Sequence, residues 1–212
     1  MEIVLPENIS EITLRQFLKY EDLQHREIDD YNFNKRKIEI FTNIPFKQID
    51  NIKAVDSERI LNQIDLALST EVEFKNTFRM YNIDFGFIPN LDKMTLGEYA
   101  DLTKHGVDKN SLHNLMAILF RPIIKREGDK YSIMAYNGTE EYAEMMKDMP
   151  LNIVNGALVF FCNLANELQQ ATQRYLSEEL QRELQPKTIS KSLVGIHQLK
   201  SWLKIIFLKS TK

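Results

Sequence analysis

The feature that most limits what this chain can fold into is the stretch that follows Pro150. It runs to about Leu184 without another proline, and Val154, Ala157, Phe161, Leu164, Leu168, Ala171 and Tyr175 recur in it at alternating spacings of three and four. That is a heptad seam. At about 1.5 Å per residue a helix of this length is a rod of roughly 50 Å, and the rest of the chain must pack around or beside it. Between Ile153 and Ala165 the other faces are apolar too, through Leu158, Val159 and Phe160, so this half is predicted to be covered on several sides. From Gln169 onward only the seam stays apolar. That half either packs along its own domain or is offered to a partner chain or a second copy. The apolar run Ile153 to Ala165 is too short for a membrane span, and Asn155 and Asn163 interrupt it.

Composition agrees with a helix-rich domain. Among 212 residues, 43% are hydrophobic and 27% charged, which is enough apolar material for a core and excludes a disordered chain. Only 7 glycines and 6 prolines disfavour a turn-rich β-sandwich. The single cysteine, Cys162, excludes an internal disulfide and a cysteine-based zinc site. A formal charge of −3 gives no overall attraction to nucleic acid. Met1-Glu2-Ile3-Val4 lacks the basic start of a signal peptide and Pro6 cuts its apolar run, so a soluble, intracellular protein is expected.

Along the chain, Glu2 to Leu5 reads as a short strand. Thr13-Leu14-Arg15-Gln16 is a capping box opening a helix. Helices are predicted over Lys35 to Thr42, after Pro45, and after an Asp56 or Ser57 cap, where Ile60, Leu61, Ile64 and Leu68 recur at helical spacing. From Val72 to Ile88 aromatic and β-branched residues predict a hairpin turning near Asn82. Thr95-Leu96-Gly97-Glu98 is a second capping box, and a helix is predicted over Ser111 to Phe120, stopped by Arg121-Pro122. A second hairpin, Ile123 to Tyr136, turns at Gly128-Asp129, and Thr139 caps a short helix. The expected fold is α+β and mostly α: a helical N-terminal unit over 1–70, then two small β-hairpins each followed by a capped helix and one long central helix over 71–186, then a tail over 187–212. The second capping box follows the first by 82 residues, each after a proline and before an aromatic one turn in, so a duplication and a chance similarity both fit.

No motif for chemistry stands out. His25, His105, His113 and His197 lie in no ligand spacing, and His113 falls on the polar side of its helix, so surface or capping roles are expected. Glu140, Glu141 and Glu144 sit near a helix start, where the macrodipole favours them. Asp29, Asp30 and Asp84 have no EF-hand loop around them. Cys162 lies among large apolar residues, the setting of an inert thiol. Neither a nucleophile elbow nor a phosphate loop occurs. The expectation is no enzyme, metal, cofactor or small-molecule substrate.

The tail differs from the body. Lys187 to Lys212 holds six lysines and no acid, leaving 21 basic against 30 acidic residues in the rest. Ile196, Leu199, Trp202, Leu203, Ile206 and Phe207 lie on one helical stripe, with His197, Lys200 and Lys204 opposite. Such a helix can dock in a protein groove, lie on an anionic membrane, touch nucleic acid, or fold back onto the acidic body. The candidate partner-binding residues are Val154, Phe161, Leu164, Leu168, Tyr175, Leu199, Trp202, Leu203 and Ile206.

The segments Ile3-Val4-Leu5-Pro6-Glu7, Glu11 to Phe17, Phe87 to Leu102, Leu119-Phe120-Arg121-Pro122-Ile123 and Ala157 to Phe161 together resemble small morphogenesis proteins of tailed bacteriophages, above all the tail assembly chaperones. The resemblance spans roughly residues 1 to 176 and rests on caps and turns; the tail lies outside it. It implies a non-enzymatic protein of the host cytoplasm or the virion that binds another virion protein, covering its apolar surface until assembly. A stable virion component such as a ring, connector or packaged protein is the alternative. Nucleic-acid or membrane-surface binding through the tail is a further one.

Overall fold

Thr13 opens the first long helix as its side chain dictates. In the computed structural model, which describes residues 4–106 and 108–183, Thr13 Oγ1 accepts from the Gln16 N–H at 3.2 Å and Gln16 Oε1 accepts from the Thr13 N–H at 2.9 Å. Donors that the first helical turn leaves free are thereby satisfied. Helices α1 (Leu14–Gln24), α2 (Asp30–Thr42), α3 (Phe46–Ile49) and α4 (Ala54–Leu68) follow in order. α2 begins at Asp30, ahead of the predicted Lys35, because the Asp29 carboxylate accepts from the Asn32 N–H at 3.0 Å and caps it. α4 begins at Ala54 with no side-chain cap, so Asp56 and Ser57 lie inside the helix; Asp56 there complements the macrodipole. The strand expected over Glu2 to Leu5 is absent at Val4 and Leu5. Pro6 has no N–H for a ladder, and a 3-10 turn starts at Ile9. Residues 1–3 lie outside the described chain.

The two predicted hairpins form, as β1 (Thr77–Met80) with β2 (Ile83–Phe87), and β3 (Phe120–Glu127) with β4 (Lys130–Ile133). Tyr81 and Asn82 both take positive φ, 51° and 60°, the two left-handed residues of a tight hairpin turn whose twist matches its strands. The hairpins are one structure: Phe85 pairs with Pro122, Gly86 with Arg121 and Phe87 with Phe120, giving a four-stranded antiparallel sheet in the order β1-β2-β3-β4. Gly86 is required there, since a Cβ would meet the Tyr131 ring at 2.4 Å. The Tyr131 ring crosses β2, and its hydroxyl donates to the carbonyls of Phe87 at 2.9 Å and Asn76 at 3.1 Å.

Between the hairpins lie α5 (Leu96–His105) and α6 (Leu112–Leu119); after them come α7 (Ala143–Met146) and α8 (Leu151–Glu183). The predicted Thr139 cap is made by its backbone: the N–H groups of Tyr142 and Ala143 donate to the Thr139 carbonyl at 3.2 and 2.9 Å, and the helix starts only at Ala143.

The two capping boxes sit in matching local structures. Asn8 and Asn90 each accept from the backbone N–H two residues on, at 2.9 Å, and each opens a 3-10 turn, Ile9–Glu11 and Leu91–Lys93. One extended residue later, Thr13 and Thr95 open α1 and α5 with the same reciprocal bonds. The leucine that follows each threonine differs in fate. Leu14 is fully buried and Leu96 is 83% exposed, because only the first cap is crossed by the segment before α8. Its Leu14 N–H donates to the Met149 carbonyl at 2.9 Å, and the Leu151 N–H donates to the Ile12 carbonyl at 2.8 Å.

One apolar core joins Leu14, Ile38 and Ile64 of the helical stretch to Phe85, Leu119, Phe120, Met146 and Val154 of the rest, each worth about 1.5–3 kcal/mol when fully buried. Beside it, Arg15 Nε donates to Asp148 at 2.8 Å and its NH1 to Glu144 at 3.0 Å, while Tyr81 donates to Asp148 at 2.8 Å. The Arg15 bond, then that of Tyr81, holds the Asp148 carboxyl below its ordinary value of 3.8. A carboxyl depressed in the fold stabilises above its unfolded pKa, and that contribution is lost as pH falls through the folded value. Arg15→Met is therefore expected to cost about 1 kcal/mol or less at neutral pH. The Tm gap to the parent protein should close as pH drops below 3.8; a gap constant from neutral to acid pH would refute this pairing.

Candidate partner-binding surface

Gly156 determines the site. The extended segment between α4 and β1 crosses α8 there so closely that a Cβ would meet the Glu73 carbonyl oxygen at 2.7 Å and Phe74 Cα at 3.1 Å. This contact sets the Phe74 ring on Phe160, stacked at 4.6 Å between centroids. Phe87, at the end of β2, meets both edge-on at 5.0 and 5.6 Å, an arrangement favoured by the ring quadrupoles. Above these rings opens a groove of about 500 Å³, walled by Phe74, Phe87, Pro89, Leu91, Phe160 and Leu164, in the size range of ligand and anchor pockets. Asn90 and Asp92 stand at its rim. α8 leaves the groove and continues to Glu183.

The predicted partner-binding residues divide along the helix. Val154 and Phe161 are fully buried and nearly so, at 0% and 3% exposure. This corrects their assignment: the first heptad positions pack into the chain's own core and present nothing to a partner. Leu164 is half-buried and forms one wall of the groove. Leu168 lies one turn further on, its side chain outside the described residues. Tyr175 is 37% exposed on the far half of α8, where Ala171 and Leu176 are also exposed. Leu199, Trp202, Leu203 and Ile206 lie outside the described residues. Phe74, Leu91 and Phe160 belong to the surface, with Phe87 buried beneath it, and were not singled out as partner-binding. Their signal in the sequence was an excess of phenylalanine on both sides of the groove, with nothing to show that the two sets meet.

Several polar groups pair within the chain. Glu98, the capping residue of α5, is buried against Arg121 of β3 in an ion pair, and its other oxygen accepts from the Thr95 N–H at 2.5 Å. The Arg121 guanidinium also lies 5.5 Å from the Tyr136 ring centroid. Burial, then the hydrogen bond to Asp101 at 2.5 Å, pushes the Tyr136 hydroxyl well above the usual tyrosine range. His113 is half-buried on α6, and burial pushes its imidazole below 6.5. Burial likewise raises the Cys162 thiol, which keeps it protonated. Among the described residues no group of three or more His, Cys, Asp and Glu is placed to hold a metal ion. No described helix is long and apolar enough to cross a membrane.

No family model, curated protein or solved structure matches the chain.

Proposed function

We propose that this chain is a non-enzymatic virion assembly protein, similar to the tail assembly chaperones, that holds an apolar segment of another virion protein against α8. The observation that supports binding is the open aromatic groove beside Phe160 and Leu164. Exposed apolar surface shaped as a groove is the usual mark of a protein contact. Aromatic walls with few charges would hold an apolar helix or extended segment without fixing it by buried ion pairs, as a contact that must later be given up requires. The likeness of residues 3–17 and 87–102 to phage morphogenesis proteins supplies the identity of the partner class. The protein then acts in the host cytoplasm and is absent from finished particles.

The test is capture of the tagged chain from infected cells, with mass spectrometry of the bound proteins and of purified particles. A virion protein is expected with the chain and not the chain in particles. Leu164→Asp, at a half-buried groove position, should reduce capture at least tenfold, since buried anchor residues dominate binding (losses of about 2 kcal/mol or more). Capture without any virion protein would remove this reading. Enrichment in particles would replace it with a stable ring, connector or packaged component.

A further inference from the structure

Leu164, Ala171 and Tyr175 lie on one stripe of α8. Leu164 is half-buried at the groove, Ala171 is exposed and Tyr175 is 37% exposed. Glu167 and Arg174, both exposed, flank this stripe on one side. They are opposite in sign and seven residues apart, so they share a helix face at a separation of about 10 Å. That distance is too great for an ion pair with each other. A flank that carries one charge of each sign a heptad apart is instead complementary to itself turned end for end.

In a heptad pairing the charges that flank the seam set orientation and register. For two antiparallel copies of α8 with a two-fold axis between residues 169 and 170, Leu164 faces Tyr175 of the second copy. Glu167 then faces Arg174 of the second copy, and symmetry repeats both contacts. Ala171, close to the axis, has no bulk to hold the helices apart. Sliding the pairing by one heptad destroys the match in either direction. One slide sets Glu167 against Glu167 of the second copy, and the other sets Arg174 against Arg174 of the second copy. A parallel pairing leaves Glu167 opposite Thr172 of the second copy, which carries no charge. One orientation and one register therefore satisfy both charges. We infer that two copies of the chain pair antiparallel through this stretch of α8, held in register by two Glu167–Arg174 ion pairs. Tyr175 of the second copy then lies against Leu164, one wall of the aromatic groove. The pairing does not rest on the assembly reading above.

The paired stretch from 164 to 175 is about 17 Å long, at the small end for a specific interface. A reversible dimer with a dissociation constant of about 1–100 μM is expected, read by sedimentation equilibrium of the full chain. Glu167→Arg alone, and Arg174→Glu alone, each turn two attractions into two repulsions and should weaken the dimer at least about tenfold. Both changes in one chain should restore it. Mixing the two single variants should give a heterodimer of parental strength, since each then supplies the charges the other lacks. Gln173→Arg, exposed on the opposite face of α8, should leave association unchanged. Circular dichroism should be the same for all, because every substituted position is exposed. A parent chain that stays monomeric throughout this range overturns the inference. So does a dimer indifferent to Glu167→Arg, which assigns the contact to a parallel pairing or to another surface. Single variants that fail to associate when mixed, or a double variant that stays monomeric, overturn it as well.

Discussion

Gly156→Ala is expected to destabilise the protein by about 2–3 kcal/mol, against the direction that helix propensity predicts. In an open helix the same change gains about 1 kcal/mol, because glycine loses more backbone entropy on folding than alanine. Here the new methyl group would lie 2.7 Å from the Glu73 carbonyl oxygen. A backbone atom cannot swing aside as a flexible side chain does, so the segment at Glu73 and Phe74 must lift from α8. Lifting it separates the stacked Phe74 and Phe160 rings and opens the core edge at Phe87, a loss typical of overpacking. Urea denaturation should show a lower midpoint with an unchanged m-value. The variant should also capture less partner, because Phe74 is one wall of the groove. A stabilised Gly156→Ala protein would show that the segment does not approach α8 this closely.

The second large effect concerns the buried Glu98–Arg121 pair. Glu98→Gln keeps an acceptor for the Thr95 N–H, so the cap of α5 survives, yet it leaves the Arg121 charge buried without its counter-ion. Removing one member of such a pair costs about 3–5 kcal/mol. Arg121→Met, which strands the carboxylate instead, should cost a similar amount. The double variant is expected to recover most of either loss, since two neutral groups of suitable volume carry no desolvation penalty for charge. Thermal unfolding of the four proteins gives the coupling energy directly. Additive losses would mean that the two side chains do not depend on each other. This pair ties the first turn of α5 to β3, and the nearby Tyr136–Asp101 bond ties α5 to the segment after β4.

Local rules were legible in the residues and non-local ones were not. Both capping boxes appear where Thr13 and Thr95 predicted them, since the code is a hydroxyl and a carboxamide or carboxylate three residues apart. The hairpin turns at Asn82 and Gly128 were legible for the same reason: positive φ favours few residue types. Joining the hairpins was not legible, because Phe85 and Pro122 meet only after α5 and α6 have folded between them. The alternating pattern of one strand does not name its neighbour. The long helix was legible in extent from its spacing, but not the point at which its seam passes from core to surface. That point depends on how far the body reaches along α8, which the spacing of one helix does not record. The groove drew on four separated stretches of chain, and no period or motif in any one of them records the meeting.

The bridge between Ile12–Leu14 and Met149–Leu151 has a consequence for how the protein is made. A chain leaves the ribosome N-terminus first, and domains fold as their pieces emerge. Ile12 and Leu14 are almost wholly enclosed in the finished molecule, yet the strand-like edge that seals them is synthesised more than a hundred residues later. During that interval α1 to α4 can form, since the hydrogen bonds within each helix are local, but their shared apolar side lacks its closing piece. The nascent polypeptide therefore carries a sticky helical half that becomes a sealed body only when Pro150 has been delivered. Long-range closure of this kind folds slowly compared with local contacts, so the pace at which residues 14–150 are delivered sets how long that apolar side stays open.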